Sequence, residues 1–112
     1  MNISIIGAGS WASAIADSLS KENKVLMYAR NIEDVNNINN FHINKKYFDY
    51  VKLSKNIKAT NNLEKLLDND IIINAIPTQS IREVLEKIKD RLDNKILINL
   101  SKGIELKSYK RV

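Results

Sequence analysis

The 112-residue sequence contains no cysteine, one proline, three glycines and a single histidine, His42. The absence of cysteine excludes disulfides and thiolate chemistry. One histidine forms no cluster, so no metal site is expected. Scarce proline and glycine exclude collagen-like and linker-like chains. No run approaches the roughly 18 apolar residues of a membrane span, and no basic segment followed by an apolar one opens the chain. No membrane partner is expected, and the expected location is cytoplasmic.

What is present is a globular composition, with 44% hydrophobic and 28% charged residues. The net charge of +5 from 18 basic and 13 acidic residues raises the question of a nucleic-acid partner. None is expected, because the lysines are dispersed. They accompany 17 Ile and 15 Asn, which like Lys have A/T-rich codons, so base composition accounts for them without a binding role.

Ile3 to Ile6 form a short β-branched strand that ends at Gly7. From Ser10 the period becomes helical, with Trp11, Ala14, Ile15, Ser18 and Leu19 recurring and Asn23 expected to end the helix in a left-handed conformation. "KVLMYA", Lys24 to Ala29, is a nearly continuous apolar strand of the kind covered on both faces. Asn31 can cap a marginal helix containing Ile32, Val35 and Ile38. Phe41 to Asn62 shows no clear period. A short helix at Leu63 to Leu67, a buried strand at Asp70 to Ile76, a helix after Ser80 with a Ser80–Glu83 capping box, and a strand at Lys95 to Leu100 complete the pattern.

Gly7, Gly9 and Ala12 fit G-x-G-x-x-G/A between a strand and a helix. Gly7 permits the tight turn, Gly9 lets backbone approach a pyrophosphate, and Ala12 permits close helix-to-strand packing. The helix N-terminus behind them offers amide hydrogens to phosphates. Trp11 is either a core residue or a ring beside the cofactor.

About 20 residues beyond the glycines, where an NAD-preferring site often has an acid, stand Ala29, Arg30 and Asn31. The Arg30 guanidinium suits adenine stacking or a 2′-phosphate, so either NAD or NADP is the expected cofactor. Lys102 lies past the carboxyl end of the last strand, placed for an anionic substrate or the nicotinamide end of the cofactor, unless it is simply solvated. Pro77, at the same edge after the preceding strand, shapes the loop there and joins the cofactor-binding candidates. Asp70 and Glu105 form no acid/base dyad, and His42 is read as structural.

Strands interleaved with helices predict an α/β fold: a three-layer, Rossmann-type parallel sheet, partial, with about four strands. Because such sheets normally carry about six, residues 1–112 are expected to be one truncated NAD(P)-binding domain, with a C-terminal substrate domain absent.

"IIGAGSWASA", "YARN", "NIKAT", "IPTQSIREVL" and "LSKGIE" together resemble the cofactor domain of bacterial NAD(P)-dependent glycerol-3-phosphate dehydrogenases, over almost the whole chain. The resemblance implies hydride exchange between a nicotinamide cofactor and glycerone phosphate or glycerol 3-phosphate in the full-length enzyme, with a homodimer allowed. It implies that Ser10 and Trp11 contact the cofactor, that Arg30 and Asn31 face its adenosine end, and that Tyr47 reaches it. Lys102 would lie near both cofactor and substrate. The family's principal catalytic lysine and phosphate anchors belong to a helical C-terminal domain, so no catalytic residue is expected here and the chain alone is expected to be inactive. The sequence departs from the family pattern at Ala12, where Gly is usual, and after Tyr47, where a Leu-Pro pair is usual. Another Rossmann dehydrogenase's cofactor domain and a non-catalytic nucleotide-binding module are the alternatives.

Overall fold

The computed structural model describes residues 2–44, 52–76, 83–84, 86–92 and 94–100. Five strands run through them: β1 (Asn2–Ile6), β2 (Lys24–Tyr28), β3 (Ile57–Thr60), β4 (Ile71–Asn74) and β5 (Ile96–Asn99). All pair in parallel, in the order β3-β2-β1-β4-β5. The chain winds outward from β1 to β3, then crosses to the other side of β1 for β4 and β5. The winding reverses between β1 and β4, and the crevice at their carboxyl ends is where open α/β sheets bind ligands.

Strand alternation explains the layers, since successive side chains point to opposite faces. Ile3, Ile5, Val25, Met27, Ile57, Ala59 and Ile73 face one side, where α1 (Ser10–Leu19) and α2 (Ile32–Phe41) cover them with Ala12, Ala16, Val35 and Ile38. Ile6 and Ile72 face the other, against Leu63 and Leu66 of a 3₁₀ helix (Leu63–Asp68) and against Val84 and Ile88, which lie among the helical residues 83–84 and 86–88. The three expected layers are therefore present. Apolar runs in β1, β2 and β4 follow from burial on both faces.

Several local expectations change. The fully buried face of α1 consists of its small residues Ala12, Ser13 and Ala16, while Ile15 and Leu19 are only partly buried. Small side chains let this helix lie close to the strands. The helix also stops at Leu19, before the expected Asn23. Asn23 reaches back instead, its Nδ2 donating to the Leu19 carbonyl at 2.9 Å, so it satisfies the helix end from outside without a left-handed backbone.

The stretch without a clear period supplies β3, a fifth strand beyond the roughly four that the sequence pattern yields. It has four residues and sits at the edge, with Ile57 and Ala59 buried and Lys58 exposed. So short an alternation leaves little signal. Asn39 of α2 substitutes for a neighbouring strand: its Nδ2 donates to the Ala59 carbonyl at 2.9 Å and its Oδ1 accepts from the Ala59 amide at 2.7 Å. The Asn-rich helix thus covers an edge that would otherwise invite pairing.

Candidate functional site

The site begins where β1 turns into α1. Gly7 has φ +127°, and a Cβ built there would stand 2.9 Å from Cγ2 of Ile76. Both conformation and space therefore require glycine at this position. Gly9 differs. It has an extended backbone, φ −79° and ψ −169°, and a Cβ there would meet nothing within 4 Å. Folding alone does not require glycine at this position.

Gly9 is also the N-cap of α1, with no side-chain cap, and the first turn contains no acid. Ser, Thr, Asp or Asn would ordinarily satisfy these helix-end amides. Here the partial positive charge of the helix terminus stays without a side-chain counterpart, an arrangement suited to an anion.

Beside the turn lies a cavity of about 210 Å³, lined by Gly7, Ala8 and Gly9, by Tyr28 to Asn31 after β2, by Asp34 of α2, and by Ile76, Glu83, Val84 and Lys87. The structure thus brings together four of the expected site residues, Gly7, Gly9, Arg30 and Asn31. Arg30 is exposed at the rim. The Asn31 Oδ1 accepts from the Glu33 amide at 2.7 Å and so caps α2, giving this residue a structural task as well as its place in the wall. Asp34 is nearly buried in the first turn of α2, where the helix dipole favours a carboxylate.

The other expected residues fall elsewhere. Ala12 is fully buried behind the turn, as close packing demands. Ser10 and Trp11 are exposed at the start of α1 and are not part of the cavity wall. The Trp11 ring is 42% exposed, so it is not a core residue, and its Nε1 donates to the Leu100 carbonyl just after β5. Tyr47, Pro77 and Lys102 lie outside the described residues. So does Ser80 of the expected capping box.

Of the other charged residues in the cavity wall, Asp34 and Lys87 carry no expectation from the sequence, and Glu83 is expected only as part of a helix cap. Glu83 and Lys87 stand four apart on a helix, which puts them on one face, but only the fold shows that this face meets the turn. Two cations and two carboxylates around one cavity can hold phosphate oxygens and accept from sugar hydroxyls or an amine. Asn74 and Asn99, at the carboxyl ends of β4 and β5, are joined by a hydrogen bond from Asn74 Nδ2 to Asn99 Oδ1 at 2.8 Å. Asn74 Oδ1 also accepts from the Ile76 amide at 3.1 Å, fixing how the chain leaves β4 beside Gly7.

Among the described residues no group of His, Cys, Asp or Glu could hold a metal, and no helix is long and apolar enough to cross a membrane.

Comparisons with known proteins fit this geometry. The family model described as NAD-dependent glycerol-3-phosphate dehydrogenase N-terminus matches residues 2–112. Glycerol-3-phosphate dehydrogenase [NAD(P)+] of Macrococcus caseolyticus is 40% identical over 115 residues, covering 100% of this chain and 35% of its own length. The Plasmodium falciparum glycerol-3-phosphate dehydrogenase structure superposes with a TM-score of 0.82 at 37% identity, over 92% of this chain and 32% of its own. That of Saccharomyces cerevisiae gives 0.83 at 26% identity, over 94% and 34%. The chain spans about a third of the length of the curated relatives it matches.

Proposed function

Because this chain belongs to the NAD-dependent glycerol-3-phosphate dehydrogenase N-terminal family, we propose that it is the coenzyme-binding part of an enzyme exchanging hydride between NAD(P) and glycerone phosphate or glycerol 3-phosphate. The observation that carries this reading is Gly9, a bare N-cap in open space beside the cavity that Arg30 and Lys87 line.

The residues present fit a dinucleotide. Gly9 and the first amides of α1 would hold the pyrophosphate, since nothing at the turn competes for its space. The cavity between Arg30 and Val84 would take the adenosine end, with the Arg30 guanidinium available to a 2′-phosphate. The bound nicotinamide supplies the hydride chemistry, and the protein supplies position and electrostatics. Tyr47 is assigned to the cofactor, and Lys102 to cofactor and substrate, by their match to the family's motifs, and Pro77 to the cofactor by its place in the sequence directly after the strand that precedes it. Ser10 and Trp11 are assigned to the cofactor on the same ground, next to the turn. No catalytic residue is assigned within these residues.

Trp11 is the chain's one tryptophan and adjoins the turn, so its fluorescence reports on occupancy. Titration with NADPH and NADH is expected to quench it weakly or not at all in the 112-residue chain, and more strongly in any longer product of the same gene. Arg30→Gln is expected to weaken NADPH about tenfold and NADH less, the loss of one charge-assisted contact. A complete gene product that binds neither dinucleotide would overturn the assignment. Glycerone phosphate-dependent NADPH oxidation by the purified 112-residue chain would overturn its expected inactivity.

A further inference from the structure

We infer that Asn44 is a positioning residue for the turn between β1 and α1, holding its backbone in the orientation that receives a phosphate. The role in phosphate binding rests on the proposed function, whereas the positioning itself does not. Asn44 reaches the turn from a distant part of the chain. At the end of α2, His42 is left-handed with φ 59° and ψ 39°, and its amide and that of Ile43 close on the carbonyls of Ile38 and Asn37. The Leu53 amide donates to the His42 carbonyl at 2.6 Å, pinning the two ends of the intervening segment together. Two residues beyond this reversal, Asn44 is 1% exposed beneath the turn.

There its Nδ2 donates to the Ala8 carbonyl at 2.6 Å and to the Ser13 Oγ at 2.7 Å. A primary amide has two hydrogens, and these two acceptors use both. The first bond has a consequence for Gly9. Across a trans peptide the carbonyl of one residue and the amide of the next point in opposite directions. Tying the Ala8 carbonyl inward to Asn44 therefore turns the Gly9 amide outward, away from the protein interior. The second bond fixes Ser13, whose amide donates to the Gly9 carbonyl at 2.9 Å. One buried carboxamide thereby sets the peptide plane before Gly9 and anchors the side chain of the residue whose amide closes the first turn of α1 on the Gly9 carbonyl.

An apolar side chain of similar size would fill the space, but it would take a donor away from the buried Ala8 carbonyl and Ser13 hydroxyl and leave the peptide unoriented. A buried polar group whose hydrogen bonds are satisfied specifies geometry. A turn already in its binding orientation avoids the ordering cost on binding.

Hydrogen exchange and ligand titration of Asn44→Ala test the assignment. The Gly9 and Ser10 amides are expected to exchange faster while β1 and β2 amides keep their protection. Affinity for NADPH should fall about tenfold, the usual scale of one buried hydrogen bond, while that for 2′-AMP, which lacks a pyrophosphate, stays within about twofold. Uniformly faster exchange with equal loss for both ligands would show a purely structural role and overturn the inference, as would unchanged exchange and affinity. If the alanine variant does not fold, Asn44→Asp, of equal size and without the donor, is read in the same way. In the unsubstituted chain the Asn44 carboxamide protons should exchange as slowly as β1 amides, and fast exchange there refutes the inference without any variant. Failure of the complete gene product to bind NADPH would count against the coenzyme reading, with the exchange at Gly9 still deciding the role of Asn44.

Discussion

β1 and β5 are written in nearly the same letters, Asn-Ile-Ser-Ile-Ile and Ile-Leu-Ile-Asn, yet they are buried very differently. Ile5 is fully buried, whereas Ile96 and Ile98 are 55% and 38% exposed. The two strands share propensity and parallel pairing, so neither accounts for the difference. Position does: β1 lies between β2 and β4 with α1 above it, and β5 is paired only to β4 among the described strands. Apolar alternation makes a strand, and its neighbours decide what that strand contributes to stability.

Ile5→Ala and Ile98→Ala break the comparison most sharply. Ile5 pairs with Met27 and Ile73 in the middle of the larger core, so truncation there leaves a cavity with little room to collapse. A loss of about 3–4 kcal/mol is expected from urea unfolding midpoints. Ile98 already faces water in part, and its truncation should cost under about 1 kcal/mol. Equal losses would mean that β5 is as deeply packed as β1.

The same contrast divides the two glycines of the turn. Gly7→Ala forces a side chain into a positive φ and against Ile76, and should cost about 2–3 kcal/mol. Gly9→Ala meets open space and should change stability by less than about 0.5 kcal/mol. It should instead weaken dinucleotide binding, because the added methyl occupies the place proposed for the phosphates. Stability is checked by thermal unfolding and binding by Trp11 fluorescence. A Gly9→Ala variant that binds NADPH as well as the parent chain would remove Gly9 from the site.

Much of this was legible in the sequence because it depends on near neighbours in the chain. Gly7, Gly9 and Ala12 stand at fixed offsets after a strand, and Arg30 follows the next strand directly. The three layers follow from the apolar runs in β1, β2 and β4 and the helical periods between them. Less local features were hidden. β3 is four residues long and depends on Asn39, which lies 20 residues away. Asn44 looks like one of fifteen asparagines until the fold places it 36 residues back in the chain, under Ala8. Glu83 and Lys87 show helical spacing but give no hint of which cavity they line. Trp11 fits a helical stripe, yet its ring bridges to Leu100, 89 residues away. Periodicity identifies a face and cannot name what it meets.

A largely exposed ion pair on the β5 side gives the smallest expected effect. Arg91 Nη2 donates to Glu64 Oε2 at 3.0 Å, linking the 3₁₀ helix to the chain that leads into β5, with the two side chains 51% and 63% exposed. Nearby, Lys95 Nζ donates to the Leu67 carbonyl at 2.7 Å and lies 3.3 Å from Asp70, so Arg91 is not the sole connection. The Arg91 hydrogen bond and charge hold the Glu64 carboxyl below its ordinary range. A carboxyl whose pKa is lower in the folded chain stabilises the fold above its unfolded pKa, and loses that contribution as pH falls through the folded value. Arg91 stays charged throughout, so the titration belongs to Glu64. Exposure and salt both weaken such a pair. Glu64→Gln should therefore lower the melting temperature only slightly at neutral pH and low salt, and the difference should vanish in acid below the folded pKa or in high salt. A difference that persists unchanged in acid would mean that Glu64 acts through packing, and that the β5 side is held by more than its exposed residues suggest.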